Sequence, residues 1–288
     1  MARHRYIIGI AVLFGWLVIQ PAGAATILTH WSFDSDFAAT TGVQQNDATA
    51  NNGDPEIVSG GSAIGAGHLS LDGNDDLAVS PANDYELGNG QFSVSLWFRD
   101  AGSDSSDRII ATGGTTNSQA GWAMFLDTDG GQMAGDVGDG SGRTIQKADA
   151  NGTVDPFDSD WHHLAFTMDA TVGSGSEVNI QVFIDGVLET SEELATLDGG
   201  AQPPITNALS DLIIGSNGST NRGMSGDLDD LAVLNGVLSP TEVDAIYNDG
   251  NGRSIPSVVP EPSAYAFLGI SIVALILGRN LPERSRQL

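Results

Sequence analysis

Carboxylates are the most frequent ionisable side chains in this sequence. Its 288 residues include 37 Asp and Glu but only 11 Lys and Arg, which gives a formal net charge of −26. So few cations cannot neutralise a phosphate backbone, and this excludes a nucleic-acid-binding protein. The chain also has no Cys, which excludes thiol catalysis, zinc–thiolate sites and iron–sulfur clusters.

Serine and histidine arrangements that could support catalysis are absent from the sequence as well. No Gly-x-Ser-x-Gly motif occurs, and such a motif needs a strand–turn–helix unit that the sequence does not predict. His162 and His163 are neighbours on a predicted strand. Because adjacent strand residues point to opposite faces, these two side chains cannot bind one metal ion together.

Most of residues 25–259 alternate between apolar and polar side chains in short runs. This alternation indicates β-strands, and separating dipeptides such as Asp185-Gly186 favour tight turns. The predicted strands are Ile27–Phe33, His68–Leu71, Leu77–Ser80, Gln91–Phe98, Arg108–Thr112, Gly121–Asp127, Arg143–Lys147, Trp161–Met168, Val178–Asp185, Asp211–Gly215 and Asp227–Leu234. Because no helices are predicted between these strands, the pattern predicts antiparallel sheets packed as a two-layer sandwich.

The same alternation assigns side chains to the two faces of each strand. The apolar faces consist of Phe92, Val94, Leu96 and Phe98 in one strand, and of Leu164, Phe166 and Met168 in another. We expect these faces to meet in the core of the sandwich. Trp97, Trp161 and His163 then lie on the opposite faces.

One short helix is predicted after the last strand. Ser239 and Glu242 stand three residues apart with Pro between them, which is the pattern of a capping box. Val243 and Ile246 follow at helical spacing, and Gly250 ends the segment. We expect the apolar face of this helix to dock onto the domain.

Several segments occur in an order that resembles a known family. They are His30-Trp31-Ser32-Phe33-Asp34, Phe92-Ser93-Val94-Ser95-Leu96-Trp97-Phe98, Trp161-His162-His163-Leu164-Ala165, Val182-Phe183-Ile184-Asp185-Gly186, Ile213-Ile214-Gly215 and Gly226-Asp227-Leu228-Asp229-Asp230-Leu231. Over about residues 27–250 they resemble the laminin-G-like jelly-roll family of the concanavalin A-type lectins and glucanases. The resemblance implies an all-β, two-sheet antiparallel jelly roll. It implies no reaction, because this fold hosts lectins, adhesion modules and hydrolases.

The resemblance also implies a calcium site where the first and last strands meet. This site maps onto Asp34 and onto Asp229 or Asp230. Carboxylates brought together there repel each other unless a cation intervenes, and Ca²⁺ prefers such oxygen ligands. The alternative is that these are solvated acidic turn residues, and the sequence leaves both interpretations open.

The glucanase branch of the family uses a Glu-x-Asp-x-x-Glu pattern on a strand. The nearest match, Glu242-Val243-Asp244, falls on the predicted helix and has Tyr247 in place of the last Glu. We therefore predict no catalytic residues.

Aromatic side chains that could stack on a sugar ring are Trp97, Trp122, Phe125, Trp161 and Phe183. Trp97 is the best candidate for a ligand-binding residue. The small polar residues Ser93 and Ser95 share its face and leave room for a ligand.

The N-terminal residues 1–24 have the features of a cleavable signal peptide, predicted as a helix. Basic residues precede the apolar run Ile7–Ile19, and Ala22 and Ala24 occupy the small-residue positions that a signal peptidase reads. The mature chain is then expected to begin after Ala24, outside the cytoplasm. A permanent N-terminal anchor is the alternative.

The C-terminus resembles the PEP-CTERM sorting signal of bacteria that make exopolysaccharide. It contains Pro260-Glu261-Pro262, the uncharged run Ala264–Gly278 and a basic tail that begins at Arg279. The resemblance implies recognition by an exosortase and removal of the tail near the motif. Before removal, the run would hold the chain in the membrane with its basic end on the cytoplasmic side. An ordinary membrane anchor is the alternative.

These patterns together predict four segments. They are a signal peptide (1–24), a laminin-G-like domain (25–252), a linker with the Pro-Glu-Pro motif (253–262) and a transmembrane sorting helix with a basic tail (263–288). We expect an exported, non-catalytic protein of the cell surface or extracellular matrix that binds polysaccharide or surface glycan. The alternatives are a glycoside hydrolase-like enzyme, with two carboxyl groups facing each other across a groove, and a purely structural matrix protein.

Overall fold

A computed structural model describes residues 25–85, 90–102, 107–112, 120–127, 132–139, 143–149, 154–169, 171, 177–189, 195–196, 211–218 and 222–259. The predicted signal peptide with Ala22 and Ala24 lies outside these residues. So does the predicted sorting tail with Pro260, Glu261, Pro262 and Arg279. Within the described ranges, no helix is long and apolar enough to cross a membrane.

The described residues are mostly β-strand. The strands are β1 (Thr26–Trp31), β2 (Ala48–Asn52), β3 (Glu56–Ser59), β4 (Gly67–Asp72), β5 (Asp76–Val79), β6 (Gln91–Asp100), β7 (Arg108–Thr112), β8 (Ala120–Asp127), β9 (Gln132–Asp139), β10 (Arg143–Asp149), β11 (His162–Asp169), β12 (Glu177–Ile184), β13 (Val187–Leu188), β14 (Ala195–Thr196), β15 (Leu212–Ile214) and β16 (Ser225–Asn235). Two short helices follow, α1 (Pro240–Tyr247) and α2 (Ile255–Val258).

The strands form two antiparallel sheets. Sheet I has the order β13-β12-β11-β6-β16-β4-β3, with β1 beside β16 and β14 beside β12. Sheet II has the order β10-β9-β8-β7-β15-β5-β2. The chain crosses between the two sheets several times, as when β5 of sheet II leads to β6 of sheet I. This topology confirms the predicted all-β jelly-roll sandwich.

The main core lies between the two sheets. It contains both predicted apolar faces, namely Phe92, Val94, Leu96 and Phe98 of β6 and Leu164, Phe166 and Met168 of β11. Sheet II contributes Trp122, Met124 and Leu126 from β8, among other residues. Burial of each large apolar side chain stabilises the fold by about 1.5–3 kcal/mol. The core thereby fixes which side chains of β6 and β11 point outward.

A second apolar cluster covers part of the outer face of sheet I. Helix α1 begins with the predicted capping box, in which Glu242 accepts a hydrogen bond of 2.8 Å from the backbone N–H of Ser239. Val243 and Ile246 of this helix are buried in one cluster with Phe183 of β12. The predicted docking of the helix is therefore confirmed.

The folded structure continues past residue 252, where the sequence analysis placed the end of the domain. Ile255 and Val259 are buried in the second apolar cluster. The backbone N–H of Arg253 donates to the carbonyl O of Ile246 at 2.8 Å. Residues 253–259 therefore belong to the folded domain rather than to a linker, because their apolar side chains complete the cover of sheet I.

Candidate functional site

A partly exposed indole, that of Trp161, stands immediately before β11. Its Nε1 donates a hydrogen bond of 2.7 Å to the carbonyl O of Gly61. The guanidinium carbon of Arg99 lies 4.7 Å from the ring centroid, and the imidazole of His68 meets the ring in a T-shaped contact at 5.6 Å. These contacts hold the ring in one orientation. We call Trp161, Arg99, His68 and Asp227 the Trp161 platform.

The geometry of sheet I explains why these side chains meet. Arg99 of β6 is paired in register with Asp227 of β16, and Asp227 is paired in turn with Ser70 of β4. His68 is two residues from Ser70, so it shares the same outer face. Gly61 adopts a φ of 66° in the turn before β4, a conformation that glycine adopts easily.

Asp227 neutralises the positive charge of the platform. Its Oδ2 accepts hydrogen bonds from Nε and Nη2 of Arg99 at 2.9 and 2.7 Å, and its Oδ1 lies 3.6 Å from Nε2 of His68. Burial lowers the pKa of His68, and the attraction of Asp227 does not cancel this effect. His68 is therefore neutral near pH 7, and the platform combines an aromatic ring with hydrogen-bonding groups.

The side chain of His162 connects the loop that precedes Trp161 to the turn that follows β12. Its Nδ1 donates to Asp185 at 2.8 Å and its Nε2 to Asp158 at 3.0 Å. Burial is the largest influence and lowers the pKa of His162, but the two hydrogen bonds and the two negative charges together raise it to about 9. The imidazole is therefore doubly protonated at neutral pH. We call these three residues the His162 clip.

His163 points to the opposite face of β11, as the alternation predicted. It is fully buried, and its Nε2 lies 2.8 Å from Oγ of Ser95. Burial lowers the pKa of His163 to about 4, against the attraction of Asp185 and Asp230. The two neighbouring histidines thus differ in charge at neutral pH and cannot share an ion.

Trp97 is not displayed to solvent, in contrast to our prediction of a sugar-stacking residue. Its side chain is 2% exposed. The ring stacks on Tyr247 of α1 at 6.2 Å and lies 5.5 Å from the ring of His163. The C-terminal segment covers this part of the face because its own apolar side chains need burial. Trp97 therefore offers no open ring face to a ligand in this structure.

The remaining aromatic candidates are also covered, with the exception of Trp161. Trp122 lies in the main core and Phe183 in the second apolar cluster. Phe125 of β8 is 4% exposed, and the guanidinium carbon of the buried Arg108 lies 4.2 Å from its ring centroid. Of the five predicted candidates, Trp161 is thus the partly exposed one.

Two of the three predicted calcium ligands bind one loop. Asp34 accepts hydrogen bonds from the backbone N–H groups of Ala66 and Gly67, the latter at 3.3 Å. Asp229 accepts one from the N–H of Ile64 at 2.8 Å. Both carboxylates therefore fasten the loop between β3 and β4 to the first and last strands.

Asp230, the third predicted ligand, has other partners. The β16 ladder shifts register between Asp229 and Ala232, and Asp230 adopts a φ of 45° there. Its Oδ1 lies 2.7 Å from Nε2 of His30, and its Oδ2 accepts a hydrogen bond from the N–H of Ile255 at 2.9 Å. Asp230 thus ties the first strand to α2.

This arrangement does not fit a calcium ion held by Asp34, Asp229 and Asp230. In the part of the chain that the structure describes, no group of three or more His, Asp or Glu side chains is placed to hold a metal ion. Burial raises the pKa of Asp229 to about 8, with further contributions from the charges of Asp230 and Asp34 and opposition from the hydrogen bond of Ile64. Asp229 is therefore mostly neutral at pH 7.

Arg99, Asp227 and His68 are not among the site residues that the sequence patterns predict. The rarity of basic residues was a usable signal for Arg99. In so acidic a chain, a basic side chain on the outer face of a strand is expected to pair with a carboxylate. The pairing itself depends on the register of β6, β16 and β4, which the sequence does not show.

The fold can be compared with known proteins. A profile of the concanavalin A-like lectin/glucanases superfamily matches residues 71–244. No curated protein matches the sequence. A structurally similar protein is domain 4 of AbnA, a GH43 extracellular arabinanase from Geobacillus stearothermophilus, in complex with arabinotriose. It is 21% identical with a TM-score of 0.56, and the match covers 77% of this chain and 98% of that domain.

Two toxin domains are similar over part of their length. The binding domain of Paraclostridial Mosquitocidal Protein 1 is 15% identical with a TM-score of 0.54, covering 78% of this chain and 52% of that one. The binding domain of botulinum neurotoxin serotype G is 14% identical with a TM-score of 0.53, covering 77% and 51%. At these identities the likeness shows the shared fold. Since the superfamily profile matches more than half of the sequence, the chain belongs to the concanavalin A-like lectin/glucanase superfamily.

Proposed function

We propose that this protein is a non-catalytic carbohydrate-binding protein whose ligand docks on the Trp161 platform. The observation that carries the proposal is a partly exposed indole that Gly61, Arg99 and His68 hold in place. Aromatic rings fixed beside hydrogen-bonding groups are suited to sugars, because the ring packs on C–H groups while the polar groups bind hydroxyls. Since these contacts fix the ring before a ligand arrives, little conformational entropy is lost on binding.

The structural relatives support the class of ligand. The arabinanase domain is in complex with arabinotriose, and the toxin domains are binding domains. A sandwich of this fold can therefore present a sugar-binding surface. Which surface is used depends on its side chains, and in the present chain the Trp161 platform has suitable ones.

Two carboxylates of one groove, those of Asp72 and Asp75, accept hydrogen bonds from neighbouring residues of the chain. Asp54, Glu56, Asp72 and Asp75 line a shallow groove, but Asp75 accepts hydrogen bonds from the backbone N–H groups of Asp54 and Asp72 at 2.7 and 2.9 Å. The N–H of Asn74 lowers the pKa of Asp72, which is the opposite of what a general acid needs. Asp229 has a raised pKa but is fully buried. These observations support a binding role over hydrolysis.

The same proposal includes export to the cell surface or extracellular matrix. It is supported by the Ala22 and Ala24 cleavage pattern and by the Pro260-Glu261-Pro262 motif with Arg279 downstream. Intact-mass measurement of the protein recovered from its native host tests this part. Loss of residues 1–24 and of the residues after the motif supports export with sorting, whereas a full-length mass contradicts it.

Binding to a panel of purified polysaccharides by affinity gel electrophoresis tests the proposed function. We expect retardation by at least one glycan and a loss of at least about tenfold in affinity, or about 1.4 kcal/mol, in Trp161→Ala. Val43→Ala is a matched control, because Val43 is 60% exposed and is not part of the platform. A panel without binding, or equal binding by Trp161→Ala, would refute the proposal.

A further inference from the structure

The charges around the Trp161 platform are balanced or negative. Arg99 is paired with Asp227. In the His162 clip, one imidazolium lies between the carboxylates of Asp158 and Asp185, which leaves one uncompensated negative charge. The exposed Asp160 stands directly before Trp161 in the chain and adds another.

We infer that the platform selects uncharged glycans and discriminates against glycans that bear uronate or sulfate groups. This inference rests on the proposed function and specifies its ligand class. Asp158, Asp160 and His162 lie within three residues of Trp161 in the chain. An acidic sugar stacked on Trp161 would therefore be repelled by their net negative charge, which a Debye length of about 8–10 Å does not screen at short range. The net charge of −26 adds repulsion at long range.

Arg99 does not reverse this preference. Its Nε and Nη2 both donate to Oδ2 of Asp227, so the pair is close to neutral. The guanidinium covers one face of the indole, so stacking of a sugar ring requires the other face. The N–H groups of Arg99 that do not face Asp227 remain suited to a neutral hydroxyl or ring oxygen, which need a donor but no full charge.

The test compares polymers that share a backbone and differ in charge. Suitable pairs are hydroxyethyl and carboxymethyl cellulose, and methyl-esterified and de-esterified polygalacturonan. Affinities of the purified chain are measured at about 20 mM and about 500 mM NaCl. In a pair that binds, we expect the uncharged polymer to bind at least about tenfold more tightly at low salt, and the difference to shrink at high salt.

Two variants separate the charge effect from general damage. Asp227→Asn removes the countercharge of Arg99 but keeps a carbonyl acceptor. It should therefore narrow the difference in affinity between the uncharged and the charged polymer of a pair. Val43→Ala should leave the difference unchanged. A carboxylated polymer that binds as tightly as its uncharged partner at low salt would overturn the charge inference and leave the binding function standing. Failure of every polymer of the wider polysaccharide panel to bind would instead contradict the proposed function itself.

Discussion

Tyr247 stacks on Trp97, with ring centroids 6.2 Å apart and ring planes inclined by 29°. This contact joins helix α1 to the centre of β6. It buries the aromatic residue that shares one face of β6 with Ser93 and Ser95. Of the five aromatic candidates, Trp161 is consequently the one whose ring is partly exposed.

Replacing Trp97 by Ala is expected to destabilise the fold by about 3–5 kcal/mol. The reason is the cavity left beneath Tyr247 and Gly252, which the rigid sheet cannot fill. Urea unfolding of Trp97→Ala measures this cost, with Trp97→Phe as the milder control. If Trp97→Ala kept wild-type stability but lost glycan binding, Trp97 would be a ligand contact and our assignment would be wrong.

The direction of each strand's side chains, toward the core or away from it, was the most predictable feature of the fold. Alternation alone placed Phe166 inside and His163 outside, because strand geometry imposes a period of two. Strand β9 was not predicted, since its Gly and Asp residues are typical of turns. Its conformation comes from pairing with β8 and β10, and Gly135 is required there because a Cβ would collide with the ring of Phe166.

The candidate site was predictable only in part. Trp161 was among the aromatic candidates, but its exposure relative to Trp97 depends on where α1 and α2 lie on sheet I. The Arg99–Asp227 pair depends on strand register, and the separation of Asp229 from Asp230 depends on a bulge. These are long-range packing features, which local periodicity does not encode.

Replacing His162 by Gln is expected to change the pH dependence of stability above neutrality. The folded pKa of about 9 exceeds the ordinary value of 6.5, so the folded chain keeps a proton that the unfolded chain releases between these values. The stabilisation by His162 is therefore complete below about pH 6.5 and is lost as the pH rises through about 9. Thermal unfolding from pH 6 to 9.5 should show a flatter curve, and a lower melting temperature at pH 6, in the variant. Parallel curves for the two proteins would contradict the raised pKa.

Replacing Asp229 by Asn probes a lower pH window. The folded pKa of about 8 against an ordinary 3.8 means that Asp229 of the folded chain keeps a proton between these values, so its contribution to stability falls as the pH rises. The Asn variant cannot make this titration, so the stability of the wild type relative to the variant should fall between pH 4 and 8. At pH 4 the variant should be less stable, because its NH₂ cannot accept from the N–H of Ile64 or Asp230. A difference in melting temperature between wild type and variant that stays constant across this window would refute the assignment.

Calcium is expected to leave the melting temperature unchanged when compared with magnesium at equal ionic strength. The carboxylates of Asp34, Asp229 and Asp230 accept hydrogen bonds from N–H groups of the chain, and Ca²⁺ needs about six to eight oxygen ligands. Calorimetry with calcium and then with a chelator measures this directly. A calcium-specific rise that Asp34→Asn abolishes would show that these carboxylates do bind the ion.

The proposed glycan site depends on Trp161 as its aromatic contact. Its most direct test is the indole N–H signal of each Trp in two-dimensional NMR spectra, recorded during titration with a glycan that the polysaccharide panel identifies. Trp161→Phe assigns the relevant signal. We predict that the Trp161 signal shifts in proportion to bound glycan while the signals of the buried Trp97 and Trp122 stay in place. A Trp161 signal that does not move while Trp97 or Trp122 responds would contradict the account.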